Sequence, residues 1–170
     1  MADLHEKSVG QRNVVQRIAE MIPGFSGYLE KERRRDVDQM QRNFCGDKLS
    51  SQKSVIKRVL NDVISGGDID GITPFEKIMN RIDTVALKIK NADRGYSGLF
   101  DTIKVGDDQL AKVYEFDLSL AEAVTEVANK VATLNAGAKD KALETVREIS
   151  SLVDKVEEYF GQREEILRKG

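Results

Sequence analysis

LAKVYEFDLSLAEAVTEVANKVATL, residues 110–134, carries apolar side chains at Leu110, Val113, Leu120, Val124, Val127, Val131 and Leu134. One step of the same series falls on Asp117. Steps of three and four residues line one side of an α-helix. LETVREISSLVDKVEEYFGQREEIL, residues 143–167, repeats the pattern with Leu143, Val146, Ile149, Val153, Val156, Phe160 and Leu167, and Arg163 interrupts it once. The heptad is of coiled-coil type. Only Asn135-Ala136-Gly137-Ala138 separates the two runs, so the helices fold back antiparallel along their seams. This decides the fold class: all-α, an elongated antiparallel bundle of four long helices, with the N-terminal helix as its fourth or fifth member.

Working outward, the spacing predicts a third helix with Phe75, Ile78, Met79, Ile82, Val85, Ala86 and Ile89 inward, ending near Arg94-Gly95. Thr73-Pro74 with Glu76 reads as its capped start, Thr73 being the N-cap. A second helix is expected from about Tyr28 to Ser65, interrupted or kinked at Cys45-Gly46-Asp47 and Ser50-Ser51. Its later half turns Val55, Ile56, Val59, Leu60, Val63 and Ile64 inward, and Gly66-Gly67 ends it. The first helix runs from about Asp3 to Ile22, with Leu4, Val14, Val15, Ile18, Ala19 and Ile22 on one side and Gly10 as a weak point. Pro23-Gly24 stops it, and the link after it presents Phe25 as an exposed aromatic. Residues 1–170 therefore form one domain. Residues 1–22 are its most mobile part, packing on the bundle or swapping onto a neighbour. Asp107-Asp108 open the fourth helix, and residues 96–106 read as a turn that plugs the bundle end.

Composition excludes several function classes. The net charge is -2, which gives no basic balance toward nucleic acid. One cysteine, Cys45, forbids an internal disulfide and a Cys-rich zinc site and suits a reducing, cytoplasmic setting. No apolar run approaches the ~20 residues of a membrane span or makes a signal peptide. His5 is the only histidine, and Glu-x-x-His is absent, so a carboxylate-bridged di-metal centre is not expected. With Asp68 and Asp70 as first ligands, a calcium loop would need ligands and a glycine at Ile72, Thr73 and Met79, and none fits. A phosphate loop is absent. Gly24-Phe25-Ser26-Gly27 and Gly95-Tyr96-Ser97-Gly98 are turn spellings. A nucleophilic serine or Cys45 would lack a histidine base. The expectation is a protein that is no enzyme and holds no metal or cofactor.

Two features remain. Residues 28–60 hold nine basic against five acidic side chains, and residues 105–170 hold nine against fourteen. The plainer reading is intramolecular pairing of the basic helix with the acidic hairpin. The other is a basic surface at Arg33, Arg34 and Arg35 for an acidic partner or membrane surface. Asp117, inside the seam, must be paired, with Arg163, Arg33–Arg35, Arg81 and Arg94 as possible partners. Tyr114 stands one turn away to cover it.

Residues 22–35 (IPGFSGYLEKERRR), 95–101 (GYSGLFD) and 114–118 (YEFDL) are similar to an uncharacterised group of bacterial helical proteins. The resemblance implies no activity, cofactor or catalytic residue. The expected function is a non-enzymatic interaction or scaffold protein that binds a protein partner or itself. The alternatives are a small-ligand module at the bundle end, using Phe25, Tyr28, Tyr96, Phe100, Tyr114 and Asp117, and a peripheral membrane-surface protein.

Overall fold

The computed structural model describes residues 2–26, 34–67, 71–92, 107–135, 137 and 139–169. Those residues form five α-helices and no strand: α1 Ala2–Met21, α2 Arg34–Ser65, α3 Ile72–Asn91, α4 Asp107–Ala132 and α5 Lys139–Lys169. At ~1.5 Å per residue, α2 and α5 each extend roughly 45–50 Å, so the all-α bundle is elongated. None of these helices is long and apolar enough to cross a membrane.

The heptads do what their spacing says. Val113, Leu120, Val124, Val127, Val131 and Leu134 of the α4 run are buried against Val146, Ile149, Val153, Val156, Phe160 and Leu167 of the α5 run. Leu110 and Leu143, at the ends of the series, are half-buried. Contacts between helices fix the directions. Arg42 reaches Lys90 and Ala92 while Lys53 reaches Asp83, so α2 and α3 are antiparallel. Asp117 meets Arg163 and Lys130 meets Glu148, so α4 and α5 are antiparallel. Gln41 reaches Asp117 and Lys48 reaches Thr125, so α2 and α4 run the same way. Two antiparallel hairpins therefore lie side by side with like-running helices adjacent, α2 on α4 and α3 on α5. Periodicity marks which face of a helix is buried and carries no information on which neighbour covers it.

α1 packs on α4; Ile18, and Ile22 just past the helix end, are buried in the common core, with Val14, Val15 and Met21 half-buried against it. Ala19 is exposed, contrary to its expected place on the buried side. Phe25 also departs from expectation, since it is buried. The reason is the turn. Phe25 N–H donates to Ile22 C=O at 3.1 Å across Pro23-Gly24, and Gly24 sits at φ +83°. Proline followed by a left-handed glycine is type II turn geometry, and it swings the aromatic back onto the core.

Four further expectations are corrected. α2 runs unbroken through Cys45-Gly46-Asp47 and Ser50-Ser51. A Cβ on Gly46 would stand 2.3 Å from Lys90 Cγ and 3.2 Å from Ala86 C=O, so this glycine serves the close approach of α3 and marks no break. Ile64 faces solvent, one residue beyond buried Val63. α3 begins at Ile72 with Gly71 as N-cap and no side-chain cap, which puts Thr73 and Pro74 inside the first turn. Proline is tolerated there because those N–H groups have no intrahelical acceptor. α3 ends at Asn91, earlier than expected, while Gly67 at φ +82° closes α2 as expected. The predicted plug of residues 96–106 lies outside the described residues.

Two of the mid-helix glycines, Gly46 and Gly161, should respond oppositely to alanine. A Cβ on Gly161 meets nothing within 4 Å. Gly161→Ala is therefore expected to stabilise the protein by about 0.5–1 kcal/mol through helix propensity. Gly46→Ala displaces the Lys90 stem and strains the Cβ against Ala86, a net loss of about 1 kcal/mol. Thermal melts of both variants check the contrast.

Candidate functional site

The candidate site is a layer of charge inside the bundle. Asp38, Gln41 and Arg42 on α2, Asp117 on α4 and Arg163 on α5 are all buried. Helical spacing explains the α2 contribution. Val37, Gln41, Cys45 and Leu49 step by four along the face turned inward, and Asp38 and Arg42 flank it.

Arg163 is the hub, 1 % exposed. Its Nε donates to Asp117 Oδ1 at 2.5 Å, joining the two heptad seams. Its Nη2 crosses the core to Asp38 Oδ1 at 2.5 Å and approaches Gln41 Oε1 at 3.4 Å. Arg42 Nε donates to the other Asp38 oxygen at 2.9 Å. Arg42 Nη1 donates to the Ala92 carbonyl at 2.9 Å, placing a cation at the negative end of α3. Gln41 Nε2 donates to the Asp117 backbone carbonyl at 3.3 Å. Arg163 Nη1 also lies 3.4 Å from Glu164 Oε1, so carboxylates and two guanidinium groups together tie α2, α3, α4 and α5. Removing ions from water is costly, and only such mutual pairing offsets it.

The sequence points to Asp117 and includes Arg163 among its possible partners. Tyr114 is buried beside them in the chain, one turn before Asp117. Phe25 is buried in the common core. Arg34 and Arg35 belong to the first turn of α2, and nothing is described of their side chains. Tyr28, Arg33, Tyr96 and Phe100 lie outside the described residues, as does Arg94. Arg81, another possible partner for Asp117, instead pairs with Asp154 and Glu157 on the surface. Asp38, Gln41 and Arg42 were missed. Their signal is faint but present: a four-residue step that is polar where neighbouring turns are apolar.

Cys45 sits one turn above Gln41, fully buried. Burial first, then the Asp117 charge, pushes its thiol up to about 12, with Arg163 and Lys48 opposing. A neutral thiol is a poor nucleophile. Iodoacetamide at about pH 8 should leave the folded protein unlabelled and alkylate Cys45 only on unfolding, as read by mass spectrometry.

Among the described residues the exposed charges pair by several routes. Acidic side chains of α4 and α5 meet Arg17 of α1, Arg81 and Lys88 of α3, and Lys130 of α4 itself. From α2, Lys53 pairs with Asp83 and Lys48 donates to the Thr125 hydroxyl. Exposed pairs of this kind contribute little each. Glu157 is held below its ordinary value of 4.5 by the Lys88 hydrogen bond, then by Arg81, against some desolvation. Because the folded-state value is the lower one, these bonds support the fold above about pH 4.5 and are lost as acid protonates Glu157. Glu157→Gln should narrow its stability difference from the parent as pH falls below that value, measured by urea denaturation across the acid range.

A cleft of about 400 Å³ opens between the C-terminal ends of α3 and α5, lined by Lys88, Ala92, Phe160, Gly161, Glu164 and Arg168 among others. Among the described residues no group of three or more His, Cys, Asp or Glu is placed to hold a metal ion. No family model matches this chain, and no curated protein or solved structure matches it either.

Proposed function

We propose that this chain is a non-enzymatic interaction protein, a rigid helical body whose work is done by its outer faces. The carrying observation is the use to which the buried charges are put. Asp38, Arg42, Asp117 and Arg163 are engaged with one another and with helix backbone. Such a layer holds helices in one register, since a slide by a heptad would set an arginine against an apolar partner. Cys45 is retained as a neutral thiol under that layer, which fits a reducing, cytoplasmic setting. The partner is a protein, with no nucleic acid or cofactor required.

Affinity capture from native lysate, with chemical cross-linking before washing, tests this reading. The expected result is a stoichiometric protein partner that survives high-salt washing. A thermal-shift screen against metals, nucleotides and anionic metabolites runs beside it. A saturable shift with one small molecule, and no captured protein, would replace the proposal with the small-ligand reading. The cleft beside Gly161 is the observation in favour of that second reading, because the missing side chain leaves open space beside buried Phe160. Filling it with Gly161→Trp would then abolish the shift.

A further inference from the structure

We draw no further inference here: the strongest candidate, the cleft between the C-terminal ends of α3 and α5, carries nothing beyond the small-ligand reading above, since its Lys88 and Glu164 are engaged with Glu157 and Arg163 and nothing in the structure shows what covers it.

Discussion

Arg163→Ala is expected to cost about 3–5 kcal/mol, the range found when one member of a buried ionic cluster is deleted. That is a large share of the ~5–15 kcal/mol that holds a typical domain folded. The reason is the number of groups the guanidinium serves. Its Nε satisfies Asp117 and its Nη2 satisfies Asp38, on two different helices. Without it, Asp117 loses the guanidinium bond in a site with no exposure to water. Asp38 keeps only Arg42. Asp117→Ala should be milder, because Arg163 retains Asp38 and Gln41. Urea denaturation followed by circular dichroism gives the ordering. A loss for Arg163→Ala below ~1 kcal/mol would place the layer among solvated ion pairs.

The heptad seams were legible because apolar spacing states directly which face is buried. Asp117 and Arg163 stood out for the same reason: each broke a regular series, and a broken series needs a partner. The rest of the layer was hidden by its own chemistry. Asp38, Gln41 and Arg42 occupy the inward face of α2, where hydrophobic residues would have drawn attention, and they are preceded by a run of exposed-looking charges from Glu30 to Asp36. A buried polar face and a solvated one look alike in sequence. Gly46 suggests a break because glycine weakens a helix, yet close contact with Lys90 and Ala86 gives it a packing role that propensity cannot show. Turn residues surround Phe25 and suggest an outside position, although that same turn is what directs it inward. The parallel adjacency of α2 with α4 depends on a choice between neighbours of equal hydrophobicity, and only the cross-helix polar contacts record it.

Replacing both Asp117 and Arg163 with apolar residues should recover most of what Arg163→Ala loses. In the double variant Asp117→Leu with Arg163→Met, one negative and one positive group leave the core together. Asp38 and Arg42 remain paired, and Glu164, which loses Arg163, is part-exposed and can turn to water. Gln41 keeps its bond to the backbone carbonyl of residue 117, which any side chain at that position preserves. Leucine restores the heptad series between Val113 and Leu120, and methionine fills the length of the arginine stem with a flexible apolar chain. Buried ion pairs replaced by packed apolar residues are often neutral or stabilising. The expected stability is therefore within ~1 kcal/mol of the parent, or above it, against the ~3–5 kcal/mol loss of the single change. If the layer serves register, the gain will carry a signature. The seams of α4 and α5 become uninterrupted and can slide by a heptad, so unfolding should lose cooperativity and amide spectra should show more than one set of signals. A double variant as unstable as Arg163→Ala would mean that the charges themselves hold the hairpins together. A double variant that is stable and fully uniform would instead leave register to the apolar packing, with the ion layer free to have been kept for the partner.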